Sequence, residues 1–237
     1  IWNLGYANEL QGNREAAKAA YLEAVSISEA IGHFIIHIMS LLGLGSMHEG
    51  ENNLHLAAET YQKVLKLIGD PPMAVACAAH LGLAGLYYEW NDLESAKNYG
   101  QQSLMLAQQF PSGVDREVAS NVFLARLKLV QGDVSGAATM LAAAEQSSQQ
   151  YNYVYQIPEV AAAQVLTLLQ QGNLDDAAQL AEKHELPLCQ ARVHIAQENP
   201  GEALAVLVSY RQQMEAKGWV DELLKVMTFF SQRQRDL

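Results

Sequence analysis

The chain has 237 residues, of which half are hydrophobic and 17% are charged, and its formal net charge is −11. Phosphate contacts need clustered Lys and Arg, which this acidic chain lacks. Direct binding to nucleic acid is therefore not expected. No apolar run approaches the roughly 18 to 20 residues that span a bilayer, and the isolated Cys77 and Cys189 fit reduced thiols. We therefore expect a cytoplasmic protein with no membrane contact.

A short phrase recurs along the chain with a period of about 40 residues. It is Gln-Gly-Asn-Arg-Glu-Ala-Ala around Gly12, Gln-Gly-Asp-Val-Ser-Gly-Ala around Gly132 and Gln-Gly-Asn-Leu-Asp-Asp-Ala around Gly172. Weaker copies lie at Asn52 and Asn91. Self-similarity at this period is typical of a repeat array, in which each unit buries its apolar face against its neighbours.

The apolar spacing within each period predicts a pair of helices. In the first pair, a helix through Leu10 stops at Gly12, and the Asn13 side chain is expected to cap a second helix that places Ala17 and Tyr21 on one face. Later helices are predicted over residues 35–50, 53–68, 73–89, 92–109, 115–131, 134–149, 158–171, 174–184, 187–197, 200–216 and 220–234.

The residue types within each period resemble the tetratricopeptide pattern. The matching positions are Leu4, Gly5, Gly12, Ala17, Tyr21 and Ala24 in the first repeat and Leu44, Gly45, Asn52, Ala57, Tyr61 and Val64 in the second. The phrase Gly-Leu-Tyr-Tyr-Glu-Trp-Asn-Asp-Leu-Glu-Ser-Ala at 85–96 further resembles the tetratricopeptide-like domain of the large ATP-dependent LuxR-type transcription regulators, the class of the maltose-regulon activator. The resemblance implies an all-α fold, a right-handed superhelix or solenoid of tandem helical pairs.

The same resemblance implies an effector-sensing and protein-interaction scaffold within a multidomain transcription regulator. The domain expected is a single repeat domain over 1–237, a fragment of a longer protein, with repeats near 1–31, 35–69, 73–110, 115–150, 157–184 and 187–217 and a partial repeat at 220–237. The sequence has no GxxxxGK[ST] phosphate loop, so ATP is expected only in a nucleotide-binding module outside this segment. The alternative is a general protein-interaction adaptor without a small effector. Other modules of the same chain and self-association are the further partners expected.

Catalytic and metal chemistry find little support in the residue pattern. His33 and His37 stand four apart, as two ligands on one helix face would, but no third ligand accompanies them. Met47-His48-Glu49 lacks the second His of a zinc-hydrolase motif, and no Gly-x-Ser-x-Gly elbow is present. We therefore expect neither an enzyme nor a resident metal.

A groove for a small effector or a peptide is predicted along the first helix of each pair, because these helices tend to line the concave side of a superhelix. The outward positions are Trp2, Tyr6, Glu9, Ser46, Glu49, Tyr88, Glu89, Asn121 and Arg126. Three of them, Glu9, Glu49 and Glu89, recur every 40 residues, either as an acidic ladder for a cationic segment or as ordinary solvated carboxylates. A separate run of alternating aromatics, Tyr151, Tyr153 and Tyr155, is interpreted either as a staple between helices or as a partner surface.

Overall fold

The computed structural model of the chain describes residues 1–110, 114–217 and 226. Within these ranges we find twelve α-helices, one short 3-10 helix and no strand. The described residues form two compact units, one through residue 110 and the other from residue 114 onward. None of the helices so described is both long and apolar enough to cross a bilayer.

The first unit contains six helices, α1 to α6. They are α1 (Trp2–Leu10), α2 (Arg14–Ala30), α3 (Phe34–Gly50), α4 (Leu54–Ile68), α5 (Ala76–Glu89) and α6 (Leu93–Gln109). Each helix packs against the next, and α1 also contacts α3 while α3 contacts α5. The odd-numbered helices therefore form a layer of their own, with a core that includes Ile38, Val64 and Leu83 beneath them.

The second unit repeats this arrangement. It contains α7 (Val114–Val130), α8 (Val134–Gln150), the 3-10 helix (Val154–Gln156), α9 (Ile157–Gln170), α10 (Leu174–Lys183), α11 (Pro187–Ala196) and α12 (Pro200–Lys217). Again α7 contacts α9 and α9 contacts α11. α10 and α11 have 10 residues each, against 17 in α7 and α8, which shortens the last repeats.

The recurring sequence phrase is the turn between the two helices of a pair. Gly12 has a φ of 76°, and Asn52 at the corresponding point of the second pair has a φ of 60°. After this left-handed residue, the amide N–H of Asn13 donates to the carbonyl of Asn8 at 2.8 Å, and Asn53 donates to His48 at 2.8 Å. Left-handed backbone favours Gly and tolerates Asn, which explains why one or the other of these two residues occupies this position in each copy of the phrase.

The predicted side-chain cap of α2 is wrong. Asn13 occupies the N-cap position but makes no cap bond, and its Nδ2 donates instead to Oε1 of Gln11 at 3.3 Å. At the same place in later pairs, Asp92 accepts from the amide of Ser95 at 3.1 Å and Asp133 from that of Gly136 at 2.9 Å. A carboxylate only accepts, so it turns to the helix amides, whereas an Asn amide also donates and can turn away.

The all-α architecture of tandem helical pairs is confirmed, and most helix ends lie within two residues of the predicted positions. One difference is the start of α5, which begins at Ala76 because residues 74 and 75 form a turn rather than the predicted helix from 73. The predicted last helix, 220–234, and the partial repeat 220–237 lie outside the described residues. That the whole chain is one repeat domain cut from a longer protein stays a prediction.

Candidate functional site

Tyr21 of α2 fixes the spacing between α1 and α3. Its side chain is 1% exposed and lies between two glycines, Gly5 on α1 and Gly43 on α3. A Cβ atom on Gly5 would come within 2.8 Å of the Tyr21 ring, and one on Gly43 within 2.5 Å. Tyr61 lies in the same way between Gly45 and Gly82 in the next repeat. These glycines therefore let a buried ring pack directly on the backbone of two odd-numbered helices.

The hydroxyl of Tyr21 leads to a polar contact that joins three helices. Tyr21 donates to Oε2 of Glu9 at 2.5 Å, and the hydroxyl of Ser46 donates to Oε1 of the same carboxylate at 2.7 Å. Burial first, and then the bond to Glu9, raise the pKa of Tyr21 far above its ordinary value. The fold thus brings together the two predicted groove residues Glu9 and Ser46, which are 37 positions apart in sequence.

Trp2 and Tyr6 form a stacked aromatic pair beside Glu9. Their ring centroids are 5.7 Å apart and their planes differ by only 3°. Trp2 packs against the cluster around Tyr21 and Met47, whereas Tyr6 is 46% exposed. Residues three apart on a helix are neighbours, so Tyr6 and Glu9 share one side of α1. The result is an accessible aromatic surface next to a fixed carboxylate.

Trp2 also lines an open cavity of about 230 Å³. The cavity lies between the start of α1, the end of α2 and the start of α3, and its walls include Ile27, Ile31, His33 and Ile36. None of these four side chains carries a fixed charge, so the cavity suits an apolar group. Sequence analysis missed it, because its walls come from helix ends that only the tertiary fold brings together.

The other predicted groove residues are spread over α3, α5 and α7. Glu49 is half-buried near the end of α3, and at the end of α5 Tyr88 is half-buried while Glu89 is exposed. In the second unit Arg126 is exposed, but Asn121 is only 8% exposed. The expectation that Asn121 faces outward is wrong, because Asn121 is buried, as are Ser120 and Val122 on either side of it.

The two histidines considered as metal ligands have local structural contacts. Nδ1 of His33, the N-cap residue of α3, accepts from the amide of Ile36 at 3.4 Å. Nδ1 of His37 lies 3.3 Å from the hydroxyl of Ser28 on α2. Both imidazoles therefore support the connection between α2 and α3.

A ladder of five rings crosses α4, α5 and α6, and sequence analysis did not identify it. In order it contains His55, Trp90, Tyr87, Tyr99 and His80, with successive centroids 5.2, 5.5, 5.3 and 5.9 Å apart. Burial lowers the pKa of the His80 imidazole. The spacing of seven residues between His80 and Tyr87 was a signal that they share one face of α5, but the positions of His55 and Tyr99 depend on the tertiary packing.

Comparison with solved structures shows the same fold in two helical proteins. The Rap conjugation gene regulator of the plasmid pLS20, in complex with the Phr* peptide, superposes with a TM-score of 0.66 at 13% identity, over 87% of this chain and 66% of that one. The apo form of RapI gives a TM-score of 0.68 at 12% identity, over 93% of this chain and 83% of that one. At these identities the likeness is one of fold. The chain spans just under two thirds of the pLS20 regulator.

The match to a protein family extends over nearly the whole chain. A search of curated proteins gives no match. The family model described as the MalT-like TPR region matches residues 1–232, which includes every helix described above and the whole series of tandem pairs. The chain therefore belongs to the family of MalT-like tetratricopeptide regions.

Proposed function

We propose that this chain is the effector-sensing and protein-interaction segment of a multidomain transcription regulator. Membership of the MalT-like family supports a regulatory scaffold, and the fold is shared with a Rap regulator that was solved with a bound peptide. In this proposal ATP is bound by a nucleotide-binding module outside residues 1–237, and the other modules of the protein are direct partners. Cys77 and Cys189 are both buried and form no disulfide, which supports a cytoplasmic location.

The observation that carries the proposal is the double role of Trp2. The Trp2 ring stacks on Tyr6, and Trp2 also forms a wall of the 230 Å³ cavity. An engineered apolar cavity of roughly 150 Å³ accepts benzene, so this one has room for a ring-sized group. An effector can place an apolar group in the cavity or a ring on Tyr6, and a ring on Tyr6 brings a polar or cationic group next to Glu9, three residues along α1. Aromatic peptides and oligosaccharides both have such faces.

A thermal-shift screen of the chain against short aromatic peptides and oligosaccharides tests this. A ligand at 100 times its Kd adds about 2.7 kcal/mol of stability. The substitution Tyr6→Ala removes the accessible ring, and we expect it to weaken binding by roughly 0.5 to 1.5 kcal/mol, the usual worth of an aromatic pair. Leu10→Ala is the matched control, because Leu10 is on the same helix and is 71% exposed but belongs to neither the stack nor the cavity.

The outcome separates the two functions under consideration. Saturable stabilisation by one class of small molecule, reduced by Tyr6→Ala and unchanged by Leu10→Ala, supports the effector sensor. Stabilisation by protein partners alone, with no small-molecule or peptide effect, favours an interaction adaptor without an effector. Equal loss of binding in both variants contradicts the placement of the effector at Trp2 and Tyr6.

A further inference from the structure

The connection between α8 and α9, residues 151–155, contains three tyrosines and a valine, and we call it the tyrosine turn. Tyr151 is 51%, Val154 60% and Tyr155 64% exposed. The rings are also in contact with each other, because Tyr153 lies 6.3 Å from Tyr151 and 5.9 Å from Tyr155 between centroids. The three tyrosines therefore present a continuous aromatic surface rather than isolated side chains.

The backbone beneath the tyrosine turn is held in place. Asn152 adopts a left-handed φ of 55°, and the amide of Tyr153 donates to the carbonyl of Ser148 at 2.9 Å. At the other end Gln156 is 7% exposed, and its Nε2 donates to the carbonyl of Asp115 on α7 at 2.6 Å. An exposed surface whose base is already ordered loses little conformational freedom on binding. The simple role of a staple between helices does not account for this exposure.

The sequence on both sides of the tyrosine turn carries charge of a single sign. Between Lys128 and Lys183 the sequence contains no Lys, Arg or His and has six Asp or Glu residues. One of them, Glu159, is exposed in the first turn of α9, four residues after Tyr155. Two others are already engaged, since Asp133 pairs with Lys128 and Glu145 accepts from Gln149 and Gln164. On α7, which contacts this turn, Arg116 is paired with Asp115 at 3.5 Å. The exposed carboxylate of Glu159 therefore gives the aromatic surface a neighbouring group that attracts cations.

We propose that the tyrosine turn binds an arginine-bearing segment of a protein partner. A guanidinium group can lie flat on the exposed face of a tyrosine ring and pair with the carboxylate of Glu159 at its edge. Arginine fits better than lysine, because its planar group is more weakly hydrated and stacks on aromatic faces. The proposed effector site belongs to α1–α3 of the first unit, so this inference does not depend on it.

Fluorescence anisotropy with three short labelled peptides tests the proposal on the whole chain. The peptides alternate Gly with Arg, with Lys or with Gln, so that they differ in charge and in planarity of the cation. We expect the Arg peptide to bind most tightly, the Lys peptide several-fold more weakly, and the Gln peptide not at all. Tyr155→Ala should weaken binding of the Arg peptide by about two- to fivefold, the range for an exposed cation–π contact. Glu159→Gln should weaken both cationic peptides.

Val130→Ala is the control, because Val130 is 54% exposed at the end of α7 but is not part of the tyrosine turn. Circular dichroism of each variant shows whether the helices are retained. Equal affinity for the Arg and Lys peptides, or Arg binding unchanged by Tyr155→Ala in a folded protein, would overturn the proposal in favour of general charge attraction. Absence of binding by all three peptides overturns it as well. Tyr6→Ala should leave Arg binding intact, which separates this test from that of the effector site.

Discussion

The packing of the Tyr21 ring requires glycine at two positions, Gly5 and Gly43, although glycine is unfavourable inside a helix. Gly43 lies inside α3, where glycine costs about 0.5 to 1 kcal/mol relative to alanine. Its Cβ-free backbone is nevertheless required, since an added Cβ would lie 2.5 Å from Cζ of Tyr21. The ring cannot easily move away, because its hydroxyl is bound to Glu9. We expect Gly43→Ala to lower the free energy of unfolding by about 1 to 3 kcal/mol, the usual cost of overpacking, measured by urea denaturation.

Gly85 provides the matched comparison within the same chain. It too lies inside an odd-numbered helix, α5, but an added Cβ would meet nothing within 4 Å. Gly85→Ala should therefore raise stability by about 0.5 to 1 kcal/mol, because only the helix propensity changes. If both substitutions changed stability by the same amount and in the same direction, the packing role of Tyr21 would be refuted.

At the scale of elements, the start of α2 clamps the end of α3. Nη1 of Arg14 donates to the carbonyl of Gly50 at 2.9 Å, and Nζ of Lys18 contacts the two carboxylate oxygens of Glu51 at 2.5 and 2.7 Å. The cations also face the negative end of the α3 dipole. The bond from Lys18 is the main cause of the lowered pKa of Glu51. The clamp therefore depends on an ionised Glu51.

The sign of the pH dependence follows from that lowered pKa. Glu51 binds its proton less readily in the folded chain than in the unfolded one, so its contribution is complete above its ordinary pKa of 4.5 and is lost as the pH falls through the folded value. Lys18→Gln should cost about 1 kcal/mol or less at pH 7, as expected for a partly exposed ion pair. The difference between wild type and Lys18→Gln should shrink towards zero in strong acid. Urea titrations from pH 7 to pH 3 measure it, and a difference that grew on acidification would contradict the clamp.

Turns and helices that are determined by neighbouring residues can be predicted from the sequence. Each turn needs a left-handed residue, as at Gly12 and Asn52, so the turns repeat visibly, and the apolar faces between them define the helices. The candidate site was predictable only in part. The repeat pattern predicts Glu9 and Ser46 as groove positions, but the contact of Ser46 and Tyr21 with the Glu9 carboxylate depends on the spacing of three helices. The ring ladder was missed for the same reason, because His55 and Trp90 meet only when α4 packs beside α5.

At the scale of the whole molecule, the buried residues that the structure describes form several hydrophobic clusters, and neighbouring clusters share partly buried side chains such as Val25. Leu83 lies in a cluster built from α3, α4 and α5, and Leu141 in one built from α7, α8 and α9. The two clusters share no residue. In a repeat protein stability is approximately a sum of repeat and nearest-neighbour terms, so a defect in one cluster should be felt mainly by the helices that surround it.

Two buried leucines allow a direct test of this local character. Leu83 is 0% and Leu141 is 1% exposed, so Leu83→Ala and Leu141→Ala should each destabilise their surroundings by about 2 to 5 kcal/mol. By native-state hydrogen exchange, we expect Leu83→Ala to accelerate amide exchange in α3–α5 and Leu141→Ala to do so in α7–α9. The double variant should show the sum of the single effects to within about 0.5 kcal/mol, because the sites have no common partner. Faster amide exchange in α4 caused by Leu141→Ala, or a large departure from additivity, would instead show that the chain unfolds as one cooperative unit.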